Sequence, residues 1–327
     1  MARAQVRRRQ FLLVGAAVTA SPWALGQATA KTGKILVGFP AGQATDAVAR
    51  LMAESLRGTT AQSYIVENRP GQGGSIALSE LARAPVDGSV MMLAHMSAVC
   101  TNPHLYRRVG YDSLKDFEPV GLVGDLPFVL VCHADLPIKN IQDLIAYAKA
   151  NPDRLSNASS GNGTVSHLAM EEFKRRAGIS IVHVPYKGSV PGLTDVAAGN
   201  VSIALETAAG VAPLIQSGKL RPLAVGTGRR LEGMPNVPTM QEQGLGDFDA
   251  ATWLMVLYPR GVRKELVHGT FEAMRTSLRT PSVEQKLIAS NCLPRYSVDP
   301  STADSYLRAE YAKWGEVVRR SGVKLEG

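Results

Sequence analysis

Lys34-Ile35-Leu36-Val37-Gly38-Phe39-Pro40-Ala41-Gly42-Gln43-Ala44-Thr45-Asp46 joins an apolar run to a stretch of small residues and then to a helical pattern. Lys34–Phe39 has the composition of a strand buried on both faces, where no polar alternation is required. Pro40–Thr45 reads as a loop, and Asp46–Leu56 then sets Val48, Leu51, Met52 and Leu56 on one face of a helix. A strand feeding a helix through such a loop is the repeating unit of α/β architecture. The loop also carries chemistry, because small residues let the backbone approach a ligand and the N–H groups of the first helical turn favour an anion. Asp46, inside that turn, is expected to tie the loop to the helix start instead of meeting the anion.

The alternation continues outward. Tyr64–Glu67 is a second strand, ended by the turn Asn68-Arg69-Pro70-Gly71 before a helix over Ser75–Ala84, and Val90–Ala94 is a third. Strands are expected at Phe128–His133, Arg154–Ala158, Ser180–Val184, Ser202–Leu205, Pro222–Gly226 and Thr252–Tyr258. Helices are expected at Ile141–Ala150, Ser166–Ala177, Leu193–Ala198 and Val237–Gly244, followed by a mostly helical tail, Lys264–Arg320. Asn157-Ala158-Ser159-Ser160-Gly161-Asn162-Gly163-Thr164 repeats the strand–loop–helix setting with hydroxyls added as donors. The strands Phe128–His133 and Thr252–Tyr258 bracket a middle segment with its own alternation, which predicts one domain inserted into another and joined by two crossing strands. Such a hinge lets two lobes close on a ligand at the carboxyl ends of their strands.

At the N-terminus, Arg8-Arg9-Gln10-Phe11-Leu12 runs into the apolar stretch Phe11–Ala20, and small residues follow at Ala28-Thr29-Ala30. Residues 1–30 therefore read as a twin-arginine signal peptide cleaved near Ala30, or at Ala28, which places the mature protein in the periplasm; an uncleaved anchor is the alternative. The 327 residues carry a formal net charge of +8, half of it from Arg3, Arg7, Arg8 and Arg9, so the body is only mildly basic and no nucleic-acid partner is expected. Cys100, Cys132 and Cys292 include no C-x-x-C pair and read as buried small hydrophobes, with neither a disulfide framework nor a metal site indicated.

Several longer stretches bear a resemblance. They are Phe39-Pro40-Ala41-Gly42 with Asp46, Glu67-Asn68-Arg69-Pro70-Gly71-Gln72-Gly73-Gly74, Ser159-Ser160-Gly161 with His167-Leu168-Ala169, and His183-Val184-Pro185-Tyr186-Lys187-Gly188. Gly218-Lys219-Leu220-Arg221, Leu223-Ala224-Val225 and Val237-Pro238-Thr239 follow. In this order the chain resembles the Bug family, the extracytoplasmic solute receptors of tripartite tricarboxylate transporters, over essentially its whole length after residue 30. The resemblance implies a two-lobed α/β periplasmic binding protein of the type II, Venus-flytrap form with two hinge strands. Residues 31–128 with 253–327 would form lobe 1, and 129–252 lobe 2. It also implies a monomer that captures a small organic carboxylate, delivers it to membrane permease subunits, uses no cofactor and is not an enzyme.

Carried over by position, Phe39, Ala41, Gly42 and Gln43 are the contacts of the first lobe, and Ser159, Ser160, Gly161, Gly163 and Thr164 those of the second. Ser97 and Tyr186 follow strands and are expected to reach the cleft, with Glu206 and Thr207 beside it; Asp46 and His167 support the loops. Lys187 either neutralises a carboxylate or stays solvated. Gln43 stands where the family commonly has a second Gly, and Glu206-Thr207 where it commonly has Asp-Asn. The Gln43 amide is expected to fill part of the cleft, and Glu206 to repel a second carboxylate or pair with a ligand amine or hydroxyl, favouring a compact ligand with a polar far end over a tricarboxylate. Two rivals remain: the same fold serving as a ligand sensor, and a secreted hydrolase using Ser160 and His167, for which no G-x-S-x-G elbow, H-E-x-x-H or P-loop is present.

Overall fold

The computed structural model describes residues 32–60 and 62–323; the signal segment expected at 1–30 lies outside them. The chain opens with β1 (Thr32–Val37), α1 (Ala44–Arg57), β2 (Ser63–Asn68), α2 (Ser75–Leu81), β3 (Val90–His95) and α3 (Asn102–Leu105). It continues through β4 (Phe117–His133), α4 (Ile141–Ala150), β5 (Ser156–Ser159), α5 (Val165–Ala177), β6 (Val182–Pro185), α6 (Ser189–Ala197), β7 (Ile203–Thr207), α7 (Ala208–Gln216) and β8 (Leu220–Val225). β9 (Ala251–Pro259), α8 (Lys264–Leu278), α9 (Pro281–Ala289), β10 (Leu293–Pro294) and α10 (Pro300–Ser321) complete it.

Two sheets share one strand. The first has the order β2-β1-β3-β9-β4, with β1 parallel to β2 and β3 and β9 antiparallel to both its neighbours. In the second, β8 and β7 flank β4 antiparallel to it, and β5 lies parallel between β7 and β6. Along the 17-residue β4, the part from Phe117 to Pro127 pairs with β9 and the part from Phe128 to His133 with β7 and β8. The return passage lies just before β9, which belongs wholly to the first sheet. There the Phe128 N–H donates to the Ala250 carbonyl (3.0 Å), the Ala250 N–H to Gly226 (2.9 Å) and the Gly226 N–H to Phe128 (2.8 Å).

In the first sheet β3, β9 and the second half of β1 bury both faces, which is why they read as apolar runs, whereas the edge strand β2 leaves Ile65 exposed. Ile35 and Val37 face Val48, Met52 and Leu56 of α1 and Phe271 of α8, whereas Leu36 faces Leu78 of α2 and the layer containing Leu307 and Trp314 of α10. β9 alternates likewise, Leu254, Val256 and Tyr258 to one core and Trp253, Met255 and Leu257 to the other. Each such side chain contributes about 1.5–3 kcal/mol through burial. Cys100, Cys132 and Cys292 are buried as free thiols.

Three departures from the sequence pattern have local causes. The first half of β4 carries Pro119, Gly121, Gly124 and Pro127, which erase a strand signature; bulges between Pro119 and Gly121 and between Leu122 and Gly124 absorb them. At Gly124 a side chain would not fit, since a Cβ would lie 2.8 Å from the Leu293 carbonyl oxygen where β10 crosses. Gly210 and Pro213 similarly mask α7. Val237–Gly244, expected as a helix, is instead drawn alongside β8: the Val225 N–H donates to Pro238 O and the Met240 N–H to Val225 O, both at 2.9 Å, and the remainder is turn.

Candidate functional site

β1, β5, β6 and β7 each run at their carboxyl ends into α1, α5, α6 and α7, and the starts of those helices converge on one cavity. Gln43, Ala44 and Thr45 line it from α1, Thr164, Val165 and Ser166 from α5, Ser189 from α6 and Thr207 from α7. None of these helices has a side-chain cap on its N-terminus. Each helix start bears a partial positive charge from its unpaired N–H groups, so their convergence makes a site for negative charge. No Lys or Arg is among the lining residues; Phe39, His95, Leu126, Phe128, Ser160 and Glu206 complete the wall. The enclosed space is about 20 Å³, room for about one water molecule.

The first loop is held from behind. Asp46 accepts from the Gly42 N–H (2.9 Å), Arg50 Nε (2.9 Å) and Asn68 Nδ2 (3.0 Å), and Asn68 Nδ2 also donates to the Phe39 carbonyl (2.9 Å). Burial opposes the charge of Asp46, but the bonds from Arg50, Gly42 and Asn68 outweigh it and hold the carboxyl below its ordinary range. Ala41 and Gly42 lie exposed at the rim, Phe39 is buried with its ring 4.8 Å from that of His95, and Gln43 is buried with Nε2 lacking a hydrogen-bond partner.

Inside the second loop, Ser159 Oγ is 2.6 Å from His183 Nε2, the Thr164 hydroxyl donates to the Gly161 carbonyl (2.7 Å), and the Gly163 N–H donates to His167 Nδ1 (3.2 Å). His167 stacks on His183 with ring centres 3.9 Å apart, and burial, then its neighbour His183, pushes its imidazole down to about 3. The loop touches the lobe built on the first sheet: the Thr101 hydroxyl donates to the Gly163 carbonyl at 2.7 Å and the Tyr106 hydroxyl to that of Asn162 at 3.3 Å. Neither Thr101 nor Tyr106 was marked by the sequence pattern.

Glu206, at the end of β7, is 3% exposed. It accepts from the Ser160 hydroxyl and from the Thr207 N–H (3.3 Å), yet burial overrides these bonds and pushes its carboxyl up to about 7. The fixed negative charge expected there is therefore a titrating group near neutrality. Tyr186 does not line the cavity; its hydroxyl donates to Asp195 of α6 at 2.5 Å. Ser97 is fully buried in a π-helical turn, Ser97–Thr101, its hydroxyl unpartnered and outside the lining. Thr45, His95, Ser166 and Ser189 were missed from the sequence; Ser189 had the same signal as the others, a helix start directly after a strand and a glycine.

Residues 48–323 match the family model described as the tripartite tricarboxylate transporter family receptor. The chain belongs to this family. Among its relatives, protein BugT of Bordetella pertussis is 32% identical over 316 residues that span 96% of this chain and 97% of BugT. Among solved structures, an R. palustris protein with adipate is 34% identical, with a TM-score of 0.86 over 90% of this receptor and 98% of that chain. The periplasmic binding protein BugD is 30% identical, with a TM-score of 0.84 over 90% and 99% respectively. The receptor shares their two-lobed α/β fold.

Proposed function

We propose that this chain is a periplasmic receptor that closes two lobes, residues 31–128 with 253–327 and residues 129–252, over a small organic carboxylate and passes it to the permease subunits of a tripartite tricarboxylate transporter. The observation that carries the reading is the convergence of four uncapped helix N-termini on one enclosed cavity without a cationic side chain. Backbone N–H groups of the four helix starts and the Thr207 hydroxyl are the donors for the ligand, with Phe39 and Gln43 closing over it from the first lobe, while the Ser160 and Thr164 hydroxyls stay on Glu206 and on the Gly161 carbonyl. The adipate-bound relative supports a carboxylate ligand. Export by a twin-arginine signal cleaved near Ala30 and a monomeric state complete the proposal.

The same geometry favours binding over catalysis. The Ser160 hydroxyl is given to Glu206 and His167 Nδ1 to the Gly163 N–H, so the two do not form a nucleophile–base pair. Because the cavity holds about 20 Å³, the lobes part to admit a ligand, and Gln43 and Glu206 inside it select compact acids over citrate.

A thermal-shift screen across mono-, di- and tricarboxylates, followed by calorimetry, tests the reading. A small carboxylate is expected to bind with Kd of about 1 μM or tighter, to raise the melting temperature with dose, and to lose about a hundredfold when its carboxylate becomes an amide. Amides that match their acids, or conversion of the acid to product, would refute it.

A further inference from the structure

We propose that Glu206 holds the ligand as a neutral carboxylic acid that donates its proton to the ligand carboxylate, so that capture takes up one proton from solution. The inference rests on the carboxylate reading above. Glu206 is the one acidic side chain of the lining, and its neighbours are neutral: the Ser160 hydroxyl, the Thr207 N–H and, in the same cavity, the Gln43 amide whose Nε2 has no partner.

The titratable groups around it supply no compensating cation. His95, from β3, is fully buried and pushed by burial down to about 3, with Nδ1 accepting the Ser97 N–H at 3.1 Å. His167, on α5, is neutral and committed to Gly163 and His183. Asp46, on α1, is bound by Arg50 and Asn68, and Asp195, on α6, by Tyr186 and Asn200. On β4, the residue paired with Glu206 is Val129. Two carboxylates facing each other in such a cavity do not both stay ionised. The incoming anion has its own carboxyl pKa well below neutrality, so the proton goes to Glu206, whose buried carboxyl already titrates at about 7. Protonated, Glu206 offers the ligand an O–H donor in a cavity where the other donors are neutral as well.

The test is calorimetric titration of adipate and of malate in two buffers that differ in ionisation heat. Uptake is expected to be slight at about pH 6 and most of one proton at about pH 8, with affinity falling about tenfold per pH unit above 7. Glu206→Gln, whose amide donates without titrating, should bind with no uptake and a flat pH profile. Binding at pH 8 without uptake, or uptake unchanged in the variant, would overturn the proposal and leave the carboxylate reading standing. Failure of every acid to bind at either pH would remove both.

A second measurement needs no ligand. With a folded-state pKa raised above the ordinary 4.5, the group favours the folded state at low pH, and this advantage is lost as pH rises through about 7. The melting temperature of the wild type relative to Glu206→Gln should therefore fall between about pH 5 and pH 8, and a constant difference would count against the proposal.

Discussion

Gly188→Ala should weaken ligand capture by about tenfold to a hundredfold, and adding Gln43→Gly should recover most of that loss without recovering the stability lost alongside it. Gly188 precedes α6 with φ +114°, where a Cβ would lie 2.0 Å from Gln43 Nε2 and 3.3 Å from Pro40 Cδ. Two costs follow, and they act on different equilibria. The backbone strain of an alanine at that φ, about 1–3 kcal/mol, is present whether the lobes are together or apart, so it lowers the melting temperature in both variants. The clash exists only where Gln43 of one lobe meets the loop of the other, so it opposes closure and appears in Kd. Gln43 is 7% exposed, which leaves its amide little room to swing aside. Calorimetry and thermal melts on the two single variants and the double variant separate the costs. Wild-type affinity in Gly188→Ala, or a double variant no better than the single, would show that this contact does not govern closure.

The alternation that announced the fold was legible because both faces of the first sheet are buried at its centre, leaving the second half of β1, β3 and β9 as apolar runs. It failed where backbone bonding overrode composition: in the first half of β4, whose prolines and glycines sit at bulges, and in the stretch after Asn236 that β8 draws into an extended pairing. The loops at Phe39–Gln43 and Ser159–Thr164 were legible for the same reason as the strands, since a small-residue break between a buried run and a helical period is local. Side-chain direction is not local. Tyr186 and Ser97 follow strands just as the lining residues do, but α6 offers Tyr186 an acceptor in Asp195, and a π-helical turn folds Ser97 into the core. The charge of Glu206 could be read from its letter; its titration near neutrality arises from enclosure by Ser160, Thr207 and the facing loop, which no stretch of β7 encodes alone.

Glu310→Ala should destabilise the protein by about 3 kcal/mol, lowering the melting temperature by at least about 5 °C. Glu310 is 9% exposed on α10, and its Oε2 accepts the indole N–H of Trp253 from β9 (3.0 Å) and of Trp314 one turn along α10 (3.1 Å). Both indoles are buried, so truncation strands two N–H donors at about 1–3 kcal/mol each. Lys313, 3.2 Å from Oε1, is more than half exposed and returns to water at little cost, which leaves the indoles as the main loss. The carboxylate itself was costly to bury, so replacement need not be uniformly harmful. Glu310→Gln keeps one acceptor oxygen and should fall between wild type and alanine, whereas Glu310→Leu restores packing volume but no acceptor. If Glu310→Leu is as stable as the wild type in chemical denaturation, packing and not the shared acceptor fastens α10 to the first sheet. If the order is wild type, Gln, then Leu, the two tryptophans depend on one carboxylate oxygen. Trp253 adjoins Thr252, whose hydroxyl lies 3.4 Å from His95 Nδ1 in the cavity wall, so the losing variants should also bind their carboxylate more weakly.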